Sequence, residues 1–320
     1  MPLGWTGRVD PETKGDSRRW HQVIQPLGIH GAPGTAILGF ACDEGVRRNG
    51  GRVGAAVGPS ALRKMMSNLP VLDAAPLYDC GDVHCLDGDL EGAQSRFSSC
   101  VCRLLDAGHL VVGLGGGHEI AYASYLGLTQ HLRQSRPRVA IVNLDAHFDL
   151  REQELASSGT SFLQALRHAS TIGLPLDYIC LGVSASANTR SLFSAAQAYG
   201  VHYYRDDQLS LLELNERVEE LLSWLADADV IYLTVCLDVL PAATAPGVSA
   251  PSARGVSQEA LELLLDAIVT TGKVLLLDVA ELSPPNDRND ETARVAARLI
   301  HRITSGIRKV GIEQDDGSSA

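Results

Sequence analysis

The sequence predicts an α/β fold, a three-layer doubly wound sandwich built on one mostly parallel sheet. Three observations carry that expectation. From residue 36 onward, short apolar runs of strand length alternate with longer amphipathic stretches. The short runs are near-continuously apolar, as strands covered on both faces must be. No stretch rich in Pro, Gly or Ser divides the chain and no internal repeat is visible, so its 320 residues are expected to form one domain, 1–320.

Taken in order, residues 1–34 are polar and rich in Gly and Pro and read as an irregular arm. Strands are expected over 36–40, 110–114, 139–144, 178–183, 230–237 and 274–279. Helices are expected over 59–67, 90–107, 122–134, 191–199, 211–226, 257–270 and 291–305. Ser257, followed by Glu259 and Glu262, has the pattern of a capped helix start. The tail 311–320, GIEQDDGSSA, is polar and is expected to fray.

Composition bounds the function. Hydrophobic residues make up 45% of the chain, enough for a large core, and the net charge of −11 argues against non-specific binding to nucleic acid or an anionic membrane. No run approaches the ~18 uncharged apolar residues of a membrane span. The start, MPLGWTGRVDPETKGDSRRW, lacks the apolar core of a signal peptide, so a cytoplasmic location is expected. The seven cysteines are scattered without CxxC spacing, which indicates neither a zinc finger nor a disulfide framework. Cys42, Cys80, Cys85, Cys100, Cys102 and Cys180 read as small buried or half-buried thiols.

In doubly wound sheets, ligands bind at the carboxyl ends of the strands. Three motifs follow apolar runs directly. Gly115-Gly116-Gly117-His118-Glu119 follows HLVVGL; its glycines permit a tight turn beside the imidazole, although such a turn could equally cradle a phosphate. Asp145-Ala146-His147-Phe148-Asp149 follows RVAIVNL, and an extended chain would project Asp145, His147 and Asp149 to one side. Two carboxylates and an imidazole suit a borderline-to-hard divalent cation. Cys236-Leu237-Asp238 ends the run VIYLTV; taken alone, a buried Cys and a turn-forming Asp describe it as well.

Together, and in this order, the three motifs resemble the ureohydrolase family of arginase, agmatinase and formimidoylglutamase, over residues 36–301. The resemblance implies a two-manganese cluster held by His118, Asp145, His147, Asp149 and Asp238, with Asp149 and Glu281 as catalytic groups. Gly-Gly-Gly-His-Glu, Phe148-Asp149-Leu150-Arg151, the loop 43–49 and Ala245-Pro246-Gly247-Val248-Ser249-Ala250-Pro251 look like the formimidoylglutamase branch. Ser158 stands where arginases carry a His.

The resemblance implies hydrolysis of a C–N bond in a small anionic amidine, N-formimidoyl-L-glutamate giving L-glutamate and formamide. Asp149 would orient the attacking hydroxide and Glu281 would hold the substrate nitrogen. Arg151 and Arg190, with Arg48 and Asn49, are the candidates for the substrate carboxylates, since Arg binds carboxylates bidentately. Relatives commonly assemble, so a homo-oligomer is expected. Cys236 departs from the pattern. The family aspartate at that position spans both ions, whereas a thiolate offers one soft sulfur that prefers zinc to manganese. The departure bears on the second metal. It also keeps two alternatives open: another amidino-hydrolase of the family, and a non-catalytic member.

Overall fold

The structure is a computed structural model that describes residues 4–11, 16–28 and 31–317, with side chains to residue 307. Among these residues, nine strands occur: β1 (Gln25–Pro26), β2 (Thr35–Ala41), β3 (Leu77–His84), β4 (Leu110–Leu114), β5 (Val139–Leu144), β6 (Leu176–Val183), β7 (His202–Arg205), β8 (Val230–Cys236) and β9 (Val274–Ala280). They form one sheet in the order β1-β3-β2-β4-β9-β8-β5-β6-β7, and each pairs parallel with its neighbours.

The α-helices are α1 (Trp20–Val23), α2 (Glu44–Arg48), α3 (Gly58–Met66), α4 (Leu90–Asp106), α5 (Ile120–His131), α6 (Ser161–Ile172), α7 (Arg190–Ala198), α8 (Leu214–Trp224), α9 (Gln258–Thr270) and α10 (Glu291–Gly317). None is long and apolar enough to cross a membrane.

The three layers follow from the period-two alternation of strand side chains. Ile231, Leu233 and Val235 of β8 point into one core, with Leu261, Leu264, Leu265 and Ile268 of α9 and Ala296, Leu299 and Ile300 of α10. Val230 and Tyr232 point into the other core, with Phe97 and Val101 of α4 and Tyr125 and Leu128 of α5. Strands buried on both faces therefore read as unbroken apolar runs. Gly127 brings α5 against α4: a Cβ there would stand 2.6 Å from Val101 Cβ. Ser257 caps α9, its hydroxyl accepting from the Ala260 N–H at 3.2 Å.

The differences from expectation lie at the edges. β3 carries Asp79, Gly81 and Asp82 and is only partly buried, so no apolar run marks it; β7 is a four-residue edge strand. The helices α1, α2 and α6 also lie outside the stretches expected to be helical. Among the described residues of the arm, Trp5, Trp20 and Ile24 are buried in a core, which its composition does not suggest. The Trp5 indole donates to Asp79 at 2.6 Å. Arg63 of α3 grips the same carboxylate through Nε at 2.9 Å and Nη2 at 3.0 Å, with both partners about 5% exposed. The backbone of α10 continues to Gly317, through the first part of the polar tail.

Breaking a buried pair from one side strands the other charge. Arg63→Met should therefore lose about 3 kcal/mol of unfolding free energy in urea denaturation. Arg18→Met, which breaks an exposed pair with Asp16, should leave it unchanged within error.

Candidate metal centre and active site

Four adjacent strands, β4-β9-β8-β5, deliver the site. The turn after β4 carries His118, the segment after β5 carries Asp145, His147 and Asp149, β8 ends on Cys236 with Asp238 just beyond, and β9 is followed by Glu281. Segments far apart in the chain are thus brought to one carboxyl edge by sheet order.

Local bonds fix each segment. The Gly115 N–H donates to Val279 O at 2.7 Å, that of Gly117 to Cys42 O at 2.9 Å, and that of Glu281 to Gly116 O at 2.8 Å. Gly116 must lack a side chain, since a Cβ would stand 1.7 Å from the Cys42 carbonyl oxygen. The His118 N–H donates to Glu281 Oε1 at 2.9 Å, tying the first and last motifs together. Asp149 and Glu281 adopt left-handed backbone conformations, with φ of 49° and 70°. Such strain in non-glycine residues persists only where surrounding structure enforces it, and it concentrates at functional sites.

The expectation that an extended chain projects Asp145, His147 and Asp149 to one side needs correction. β5 stops at Leu144, and the Asp145 carboxylate turns back to accept from the His147 N–H at 2.7 Å. The chain bends there, and the positive φ of Asp149 restores convergence.

His118 Nδ1 lies 2.9 Å from Asp145 Oδ2 and 3.0 Å from Asp149 Oδ2. His147 Nδ1 lies 3.4 Å from Asp145 Oδ1 and 3.2 Å from Asp238 Oδ2. Two donor groups result, His118–Asp145–Cys236 and Asp145–His147–Asp238, in each of which the donor atoms lie within 4.8 Å of one another. Asp145 belongs to both. Buried His118 Nδ1 makes no contact of hydrogen-bond geometry, despite its short distances, and Asp238 Oδ1 has no partner either. On the far side of its ring, His118 Nε2 meets Thr234 Oγ1 at 3.1 Å.

The electrostatics express a need for positive charge. Burial pushes Asp149 and Asp238 above the usual carboxylate range, and the charge of Asp145 adds to it. For Asp145 burial acts in the same direction, but His118 and His147 outweigh it and hold the carboxyl well below its usual range. Burial opposes charging of both imidazoles, yet the aspartates raise them well above their ordinary value. Glu281 is pushed up to about 8 by burial, then by the charges of Glu119 and Asp238. A divalent cation between these groups would answer the same need.

The cavity over this cluster is lined by all six metal candidates and Glu281, and by Arg151 and Asn49. Asn49 donates to Ser158 Oγ at 3.2 Å. Two of the expected substrate-binding residues lie outside this lining. Arg48 does not line the cavity: successive helical residues point about 100° apart, and Arg48 turns to Glu44 and Glu91, at 2.9 and 2.6 Å, and to two backbone carbonyls. Arg190 is the exposed first residue of α7 and lies outside the lining. Asn188, two residues earlier, lines it instead, held by donation to Ala146 O and Ser184 O at 2.8 and 2.9 Å. Ser158, Leu192, Ser249 and Ala250 also line it and were not singled out as site residues. The sequence signal for Asn188 was weak, a lone Asn five residues beyond a strand end.

A family model described as the arginase family matches residues 33–305. The chain belongs to the arginase family. It is 49% identical over 317 residues to a formimidoylglutamase of Ralstonia nicotianae, covering 97% of each chain. It is 50% identical over 302 residues to one of Aeromonas hydrophila, covering 93% of this chain and 96% of the relative. Among solved structures, formimidoylglutamase from Bacillus subtilis shares the fold with a TM-score of 0.83 at 22% identity, over 96% of each chain. Trypanosoma cruzi formiminoglutamase, solved with Mn2+, superposes with a TM-score of 0.79 at 25% identity, over 91% of this chain and 98% of that one.

Beside this arginase-family centre lies a carboxyl with a separate consequence. Glu119 is fully buried, accepts from the Gly45 N–H at 2.9 Å, and is pushed up to about 7 by burial. A carboxyl raised in the folded state stabilises the fold fully below its unfolded value near 4.5, and that contribution is lost as pH rises through about 7. Glu119→Gln keeps the acceptor and removes the titration. In chelator-treated protein, the unfolding free energy of the variant relative to wild type should rise by about 3 kcal/mol between pH 5 and pH 8. Urea denaturation at the two pH values measures it, and equal differences would remove Glu119 from the pH dependence.

Proposed function

We propose that this arginase-family chain is a metal-dependent hydrolase of a linear amidine, converting N-formimidoyl-L-glutamate and water to L-glutamate and formamide. The observation that supports this reading is the cavity, whose lining includes Arg151 and Asn49 together with Glu281 and the aspartates. The substrate has matching ends, a cationic amidine and a pair of carboxylates. Relatives at about half identity over nearly the whole chain carry the formimidoylglutamase name, which supports the choice within the family.

Divalent cations fit the donor set. Orphaned His118 Nδ1 and Asp238 Oδ1 face the cluster, and nitrogen and oxygen donors of Asp145, His147 and Asp238 suit Mn2+. His118, Asp145 and Cys236, with Asp149 beside His118, would hold a second ion. When bound, such ions supply Lewis acidity and bring the pKa of water toward neutrality.

The chain's own residues do the rest. Glu281, anchored by the His118 N–H, receives the amidine nitrogen and stabilises positive charge on it as the formimidoyl carbon is attacked. Asp149 lies in contact with the cluster through His118 and is placed to orient the attacking water and accept its proton. That proton can then pass from Asp149 to the leaving glutamate amine; Ser158, which also lines the cavity, is too weak an acid to supply it. Arg151 and Asn49 hold the carboxylate end, and Gly159 leaves room for Arg151, since a Cβ there would stand 2.8 Å from Arg151 Cδ.

With Mn2+ supplied, N-formimidoyl-L-glutamate should be hydrolysed in preference to arginine and agmatine under identical conditions. Preference for either basic compound would move the assignment to another amidino-hydrolase, and no turnover of any of them would favour a non-catalytic role. Arg151→Met removes a charge-assisted contact of about 1.5–3 kcal/mol and should raise KM by roughly 10–100-fold, with a smaller change in kcat. Arg190→Met should leave KM within about twofold.

A further inference from the structure

We propose that the two cation positions are chemically unequal: the one bounded by His118, Asp145 and Cys236 takes a thiophilic divalent ion of the zinc class. The one bounded by Asp145, His147 and Asp238 takes a hard ion such as Mn2+. The inference rests on the metal-dependent reading above and deepens it, assigning different ions to the two halves of one centre.

The argument is one of donor atoms and their direction. The Asp145 carboxylate divides its oxygens, Oδ2 at 2.9 Å from His118 Nδ1 and Oδ1 at 3.4 Å from His147 Nδ1. The bridging role therefore falls to Asp145, one oxygen to each side. Cys236 has a single donor atom. It completes a donor set with His118 and Asp145, and its thiol also bonds to the Asp238 carboxylate of the neighbouring set. The sulfur-containing set of three is thus assembled on the His118 side.

That side presents nitrogen, oxygen and sulfur; the other presents nitrogen and oxygen alone. Thiolate selects zinc-like ions, while carboxylate and water suit manganese. Cys236 is the one sulfur in the cavity lining and is buried, 1% exposed, at the end of β8, so it is fixed where it stands. Cys180, equally buried, does not line the cavity; its thiol donates to the His147 carbonyl at 3.3 Å. Each donor set also holds a residue with a buried atom that lacks a hydrogen-bond partner, His118 Nδ1 in one and Asp238 Oδ1 in the other. Loading the sulfur side forms a metal–sulfur bond as the Cys236 S–H bond breaks, and the proton leaves to solvent. No electrons are exchanged, and each ion bound there releases one proton.

The test strips the full-length protein with chelator and re-equilibrates it with equimolar Zn2+ and Mn2+. Metal analysis of wild type should give one zinc and one manganese per chain. Cys236→Asp should shift the mixture toward manganese by about tenfold or more, and Cys236→Ser should lose the zinc without gaining a second manganese. Cobalt gives an independent reading. Wild type loaded with Co2+ should show a thiolate-to-cobalt charge-transfer band in the near ultraviolet that Cys236→Ser lacks, with circular dichroism checking that the variant is folded. Two manganese ions or two zinc ions per wild-type chain from the equimolar mixture, or no charge-transfer band with cobalt, would overturn the proposal. None of these readouts uses turnover, so their failure leaves the hydrolase reading standing, and absence of turnover leaves the metal assignment standing.

Discussion

Burial of several carboxylates at one edge of a parallel sheet is the constraint around which this molecule is arranged. Asp145, Asp238 and Glu281 are each 5% exposed or less and share a small volume. Each unpaired buried ion costs several kcal/mol, and neighbouring carboxylates repel. The arrangement is tolerable only with positive charge among them, from protonated imidazoles or from cations. The Gly115–Gly117 turn, the left-handed backbone at Asp149 and Glu281, and the order β4-β9-β8-β5 all bring charge and counter-charge to one place.

The support extends one layer deeper. Asp278 of β9 is wholly buried and accepts from Ser124 Oγ at 2.6 Å and Tyr232 OH at 2.5 Å. Thr234 is paired in register with it across β8 and β9 and meets His118 Nε2. A hydrogen on Nε2 donated to Thr234 leaves the Nδ1 lone pair facing Asp145 and Asp149. Outer partners of this kind orient a ligating imidazole and set its tautomer. The same strands that carry the site residues therefore also carry what aims them.

How much of this was legible in the sequence depended on burial. β4, β5, β8 and β9 are covered on both faces, so their apolar runs announced them and the motifs following them. β3 was hidden because its polar residues do structural work: Asp79 is the acceptor for Trp5 and Arg63, a pairing across 74 and 16 residues that no local pattern reveals. The same long-range contact holds Trp5 in an arm that composition alone described as irregular. Among the arginines, proximity to a motif was a poor guide. Arg48 and Asn49 are neighbours in sequence, yet the helical turn sends one to Glu44 and Glu91 and the other to Ser158 in the cavity lining. The bend at Asp145 was equally invisible, since it depends on a carboxylate folding back onto its own chain.

Cys236 separates two requirements that an aspartate would satisfy together. Burial and the charges of Asp145 and Asp238 push the Cys236 thiol well above its ordinary range, so without a bound ion it is neutral and adds no charge to this sheet edge. The number of donor atoms and their softness change as well. The need for a bridge is met by Asp145, whose two oxygens already face the two imidazoles. The fold makes no demand on the identity of the ions, because the apolar strands and the helices on both faces supply its core. The residue at position 236 adds a donor atom at the end of β8 and is not what builds the frame. Asp145 does more: it serves both donor groups, and its N–H is bound to the Leu181 carbonyl at 2.9 Å.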